Sequence, residues 1–152
     1  MLTRYHRSAW CVVTNLEMDK ILLLHKIYKD WREAWVLPKW HVENWESDEE
    51  TAIREVKEET WYIDFKVLAH LCEDNFEYDN DKWHNVKTVI WYLCNLISDE
   101  KQELWLTENE KWTFFEQIRC WLNEVVSKCT HEWEWVSVAV WIEYINNLRK
   151  ND

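Results

Sequence analysis

Not one glycine occurs in this chain, and that absence restricts every tight turn it can make. Glycine enters left-handed backbone conformations without steric cost, so it ordinarily supplies helix ends, hairpin turns and close backbone approaches. At an ordinary glycine frequency of about 7%, a chain of 152 residues would hold about 11. Tryptophan, normally among the rarest residues, occurs 14 times instead. Several tryptophans stand in polar, turn-like company such as KDWRE, ENWES, DKWHN and THEWEW, where glycine is the expected punctuation. Most tryptophan positions are therefore read as ancestral glycine positions. A helix ending at such a site has to hold a side-chain-bearing residue in the left-handed region, at a cost of roughly 1–2 kcal/mol.

Within that restriction the composition is globular, with 47% hydrophobic and 31% charged residues and no linker-like or repetitive tract. The length suits one domain, residues 1–152. No apolar run approaches the roughly 18 residues of a membrane span, and the start, MLTRYHRSAW, lacks the apolar core of a secretory signal. A cytoplasmic location without a membrane partner is expected. The cysteines Cys11, Cys72, Cys94, Cys120 and Cys129 are odd in number and show no CxxC or CxxH spacing, which suits small buried hydrophobes in a reducing compartment. A net charge of -11 argues against a nucleic-acid partner. It leaves open a phosphorylated small molecule whose charge is met by divalent cations.

Residues 8–14 (SAWCVVT) and 20–27 (KILLLHKI) are apolar or β-branched runs split by the turn NLEMD, and read as paired strands. A short extended piece, WVLP, follows. Ser47 and Glu50 form a capping box that starts a helix running to about residue 60. Residues 65–72 and 86–96 read as two further strands separated by the polar loop EDNFEYDNDKWHN. Residues 116–126 and 132–150 read as helices, the second with Val138, Trp141, Ile142, Ile145 and Leu148 at helical spacing. Strands and helices mix without βαβ alternation, so a mixed sheet flanked by helices is expected.

The helix after Ser47 is unusually acidic. At 100° per residue, Ala52, Ile53 and Val56 share one arc, Glu55, Glu58 and Glu59 fill the adjoining arc, and Arg54 and Lys57 lie outward. Spacings of three and four residues crowd these carboxylates together, which weakens a helix unless a counter-charge is present. Hard divalent cations such as Mg²⁺ or Mn²⁺ would provide one. The same spacing also suits a solvated acidic face, the commoner arrangement on charge-rich helices.

The stretch from Pro38 to Tyr62, PKWHVENWESDEETAIREVKEETWY, resembles the box of the Nudix hydrolases, G-x5-E-x7-R-E-U-x-E-E-x-G-U with U aliphatic. Glu46, Arg54, Glu55, Val56, Glu58 and Glu59 stand at the required intervals, while Trp40 and Trp61 occupy the two glycine positions and Tyr62 the last aliphatic one. The resemblance implies an α/β/α sandwich with a mixed sheet and a loop-helix-loop box. It implies hydrolysis of a pyrophosphate bond in a nucleoside diphosphate derivative, a small-molecule nucleotide, with Mg²⁺ or Mn²⁺ as cofactor and the chain acting as monomer or homodimer. Carried over by position, Glu55, Glu58 and Glu59 are the metal ligands and the Lys39 carbonyl completes the shell. Glu55 or another acidic residue is the base for water, and Arg54 orients Glu55. A further ligand or base is sought outside the box, at Glu108 or Glu110 in LTENEKW, with Glu108 preferred.

The PKWH segment resembles PKGH in the diadenosine polyphosphate and ADP-ribose branches of that family, which points toward dinucleoside polyphosphates. Lys39, His41 and Lys87 are candidate phosphate contacts, and Tyr78 or His84 are weaker candidates for phosphate or base. Each also has a plain reading as a solvated surface group. Tryptophans at positions 40 and 61 are expected to weaken catalysis despite intact carboxylates, so a catalytically impaired binding domain or an engineered Gly-to-Trp variant is the alternative.

Overall fold

The computed structural model of the chain describes residues 2–28, 30–102, 114–130 and 132–151. In chain order the elements are β1 (Leu2–Thr14), β2 (Lys20–Ile27), β3 (Glu33–Val36), β4 (Lys39–His41), α1 (Asp48–Thr60), β5 (Phe65–Asp79), β6 (Trp83–Leu96), β7 (Phe114–Trp121), α2 (Leu122–Lys128) and α3 (Glu132–Asn151). Among the described residues the strands form one mixed sheet with the path β3-β2-β1-β6-β5, β4 pairing with β1 and β7 with β2. The β1–β6 ladder is parallel along its whole length, from Leu2↔Trp83 to Thr14↔Asn95, and the other ladders are antiparallel.

Strands β1 and β2 pair only at Thr14↔Ile21, beside their turn, and then part company. Beyond that point β1 takes β4 as partner through Ser8↔His41 and Trp10↔Lys39, while β2 takes β3 and β7. The sheet therefore splits beside β4, where Lys39 sits.

Alternation along the strands sends one set of side chains to each face. Ala9, Cys11, Val13, Ile90, Tyr92 and Cys94 pack with Ala52 and Val56 of α1. Trp10, Val12, Val89, Trp91 and Leu93 pack on the opposite face with Val125 of α2 and Val138 and Ile145 of α3. Helices on both faces make the expected α/β/α sandwich. On the α3 side the Trp10 and Trp91 rings meet edge to face, with centroids 5.0 Å apart at 77°. Such a pair adds about 0.5–1.5 kcal/mol beyond the area it buries.

Helix α1 begins as its sequence requires. The Ser47 side chain accepts from the Glu50 N–H, and the Glu50 carboxylate accepts from the Ser47 N–H at 2.8 Å. It ends at Trp61, whose φ of 67° and ψ of -2° lie in the left-handed region and whose N–H reaches the Lys57 carbonyl at 2.9 Å. Trp31, in the β2–β3 turn, has φ 66°. Both tryptophans thus hold conformations that favour glycine. Met18 is also left-handed, in a turn tied by the Asn15 side chain, which accepts from the Asp19 and Lys20 N–H groups.

Three expectations are corrected. Residues 73–85 do not form a long loop: β5 continues to Asp79 and β6 starts at Trp83, leaving a turn in which Asn80 accepts from the Trp83 N–H. Polar residues are tolerated there because β5 is the last strand on the sheet's path, with much of its surface in solvent. Residues 116–121 are strand rather than helix, because β2 offers a full-length edge from Lys20 to Ile27 for β7 to pair with. Helix α2 follows it. Finally, the tryptophans of DKWHN and THEWEW lie in β6 and α3 rather than in turns.

Candidate active site

The charged edge of α1 is organised by Arg54. Its guanidinium donates from Nε to Glu46 Oε1 at 2.7 Å and from Nη2 to Glu46 Oε2 at 3.0 Å. The same side chain donates from Nη1 to Glu55 and, at 2.9 Å, to Glu58. Glu46 is held in turn by the Thr51 hydroxyl at 2.9 Å. By its angle alone Arg54 belongs on the outward side of the helix. Its length lets the fork turn back across three carboxylates, and charge-assisted bonds reward that turn.

The three glutamates singled out by spacing lie at very different depths. Glu55 and Glu59 are 2% and 9% exposed, whereas the Glu58 side chain is half exposed. Burial pushes the Glu55 carboxyl up to about 8; Arg54 opposes the shift and the charges of Glu59 and Glu58 add to it. Burial also raises Glu59, against the pull of Lys26 and of the Lys39 N–H. That N–H donates to Glu59 Oε2 at 2.9 Å, and Lys26 Nζ stands 3.5 Å from Glu59 Oε1. Glu59 therefore ties α1 to both banks of the split in the sheet, β2 and β4.

The remaining candidates fall on the other side of β4. Lys39 Nζ lies 4.8 Å and Lys87 Nζ 5.2 Å from the centroid of the Trp10 ring. Burial, helped by the positive charges of Lys26 and Lys87, lowers Lys39 to about 7. Burial likewise lowers Lys87. His41 Nδ1 is 3.3 Å from the Ser8 hydroxyl and its ring lies 5.8 Å from that of His6; burial, then Lys87, lowers its pKa. Lys39 and Lys87, chosen from distant stretches of sequence, thus meet over one aromatic ring. His84 is set apart, bonded to Asp79 at 2.7 Å. Sequence reasoning missed Trp10 and Lys26, which no local spacing marks. It named Glu46 without seeing its part as the anchor of Arg54. Glu108 and Glu110 lie outside the described residues, as does the Trp40 side chain, although the Trp40 backbone pairs with Ala9.

Among the described residues no group of three or more His, Cys, Asp or Glu side chains is already drawn together as for a metal ion. Nor is any described helix long and apolar enough to cross a membrane.

Residues 4–141 match the NUDIX domain family. A segment of 78 residues, 51% of this chain, is 40% identical to a putative mutator protein, MutT4, of Mycobacterium tuberculosis, and spans only 31% of that protein's length. Among solved structures, the C. elegans Ap4A hydrolase binary complex superposes with a TM-score of 0.67 at 19% identity, covering 93% of this chain and 98% of that one. The E. coli dihydroneopterin triphosphate pyrophosphohydrolase superposes with a TM-score of 0.66 at 16% identity, covering 91% and 95%. At these identities the structures share a fold with this chain.

Proposed function

The chain belongs to the Nudix family of hydrolases, and from that membership we propose that it is a pyrophosphohydrolase that needs Mg²⁺ or Mn²⁺ and cleaves a nucleoside diphosphate derivative. Dinucleoside polyphosphates are the first candidates, in keeping with the PKWH segment and with the fold shared with an Ap4A hydrolase.

The observation that carries this reading is the pair of buried carboxylates on one turn of α1. Glu55 and Glu59 hold two acids almost out of water, burial raises the proton affinity of both, and the charge of Glu59 raises that of Glu55 further. Carboxylate oxygens are the donors that hard divalent cations select, and a cation would relieve that strain, so the residues fit the group. Glu55, Glu58 and Glu59, with the Lys39 carbonyl and Glu108, are the proposed ligands. When bound, such an ion neutralises the non-bridging phosphate oxygens and acidifies water.

The chain's own groups do the rest. Arg54, fixed on Glu46, sets the orientation of the Glu55 carboxylate. In this reading Glu55, or another acidic residue, takes the proton of the attacking water, with Glu58 half exposed. Lys39, Lys87 and His41 present positive charge or N–H donors to phosphate beside Trp10. The test is release of a nucleoside phosphate from a panel of dinucleoside polyphosphates and nucleotide sugars. Turnover should appear with Mg²⁺, vanish with a chelator and be abolished in Glu58→Gln. No turnover across the panel, even after Trp40→Gly and Trp61→Gly together, rejects the reading.

A further inference from the structure

Two histidines meet on the face of the sheet turned away from the glutamates. His6 and Ser8 share the alternation of Trp10 and Val12, which pack toward α3. Ser8 faces His41 directly across the β1–β4 ladder, and His6 stands two residues along the same strand. The small side chain of Ser8 leaves room for both rings to lean over it. Their centroids lie 5.8 Å apart at an interplanar angle of 36°.

Each ring is steered by a buried polar group, Asn85 at 2% exposure and Ser8 at 1%. The Asn85 amide nitrogen donates to the main-chain carbonyls of Tyr78 at 3.3 Å and Trp83 at 3.1 Å, so its oxygen is the atom turned to His6. That oxygen only accepts, and it stands 3.0 Å from His6 Nε2. His6 Nε2 therefore carries the proton and leaves the lone pair on Nδ1. Ser8 Oγ lies 3.3 Å from His41 Nδ1 and can accept from it, which leaves the His41 lone pair on Nε2. A ring with one nitrogen donating to a protein oxygen and the other carrying a lone pair has the form that metal-ligating histidines take.

The spacing fits one shared ion. With a metal–nitrogen bond of about 2.0–2.1 Å, a ring centre stands about 3.2 Å from the ion, so two rings on one ion have centres about 5.2 Å apart at a tetrahedral angle and about 6.4 Å apart in opposed positions. The observed separation lies between those limits. His41 is exposed and His6 half-buried, so an ion reaches them from solvent. Among the described residues no third His, Cys, Asp or Glu side chain joins them, and water completes the coordination. Of the charges around His41, Glu43 favours a cation whereas Lys87 and Arg4 oppose it. Binding there depends on metal–nitrogen bonds rather than on Coulomb attraction. Imidazole suits Zn²⁺, Cu²⁺ and Ni²⁺, while Mg²⁺ prefers oxygen.

We propose that His6 and His41 form a second metal site, separate from the glutamates, that takes a borderline divalent ion of the zinc type and passes over Mg²⁺. The assignment stands whether or not the chain hydrolyses a pyrophosphate.

Calorimetric titration of the full chain with zinc chloride tests it, in excess Mg²⁺ so that the glutamates are supplied with a hard ion. The unaltered chain should bind Zn²⁺ saturably. His6→Gln and His41→Gln should each weaken that binding at least about tenfold. His84→Gln, which removes an imidazole held by Asp79 instead, should leave it unchanged. Glutamine keeps a polar side chain at each position, and an unaltered melting temperature shows that the fold persists. Absence of saturable Zn²⁺ binding in the unaltered chain overturns the proposal. So does undiminished binding in either His6→Gln or His41→Gln, or an equal loss in His84→Gln.

Discussion

The two faces of the sheet bring opposite kinds of titratable group to the split between β1 and β2, carboxyl groups on one and amines on the other. On the α1 face, Glu55 and Glu59 are buried carboxyl groups whose proton affinity is raised by burial, with the charge of Glu59 adding to the shift of Glu55. On the α3 face, Lys39 and Lys87 gather their ammonium groups within 5.2 Å of the Trp10 ring. Lys39 belongs to both, with its N–H on Glu59 and its side chain over Trp10. Burial of like charges on either side is unfavourable in isolation. A divalent cation on the acidic side and a diphosphate on the basic side relieve both at once, and they are the two components of the proposed reaction.

Removing the acidic side should have the largest effect. Glu59→Gln is expected to lower kcat/KM by about 10³-fold, because a lost ligand forfeits several kcal/mol of charge stabilisation. Steady-state kinetics checks this, and KM for the nucleotide should change far less than kcat if the basic side is intact. Next comes Arg54→Lys. A lysine keeps the charge but cannot span Glu46, Glu55 and Glu58 with one planar fork, so a loss of about 10- to 100-fold in activity or metal affinity is expected. Equal activity would mean that the carboxylates orient themselves without the fork.

A pH experiment sharpens the contrast further. In the metal-free chain the folded state holds the Glu55 proton up to about 8, whereas an unfolded glutamate releases it near 4.5. The folded state is therefore not penalised below the lower value and is progressively penalised as pH rises through the upper one. Melting temperature measured with a chelator present should fall across that window. Glu55→Gln should flatten the fall, and Mg²⁺ should raise the melting temperature more at the alkaline end. The smallest effect is conformational. Trp61→Gly should stabilise the chain by about 1 kcal/mol, the cost of a Cβ in the left-handed region, read as a rise of roughly 2–4 °C in the melting temperature. Trp45→Gly, at an 80% exposed position without positive φ, should do nothing comparable.

The same contrast explains what the sequence made legible. The acidic edge comes from one contiguous helix, where the Ser47 and Glu50 cap, the spacing of the glutamates and the left-handed end at Trp61 are all local properties. The basic edge draws Trp10 from β1, Lys39 from β4, Phe76 from β5 and Lys87 from β6, and only the register of three ladders brings them together. Lys39 and Lys87 could be named from sequence, but their meeting over Trp10 could not. Strand β7 was hidden for a related reason. Its apolar residues suit a helix as well as a strand, and the free edge of β2 decides between them. Residues 73–79 looked like loop because a polar segment at the end of a sheet need not alternate cleanly.

Glu55, Glu58 and Glu59 are proposed to hold a divalent cation together. Titration of Mn²⁺ into the metal-free chain, followed by water proton relaxation, measures this without any substrate. Saturable binding that is lost in Glu59→Gln and retained in Glu49→Gln, on the exposed first turn of the same helix, is the predicted result. Mn²⁺ binding that is the same in all three proteins would contradict it.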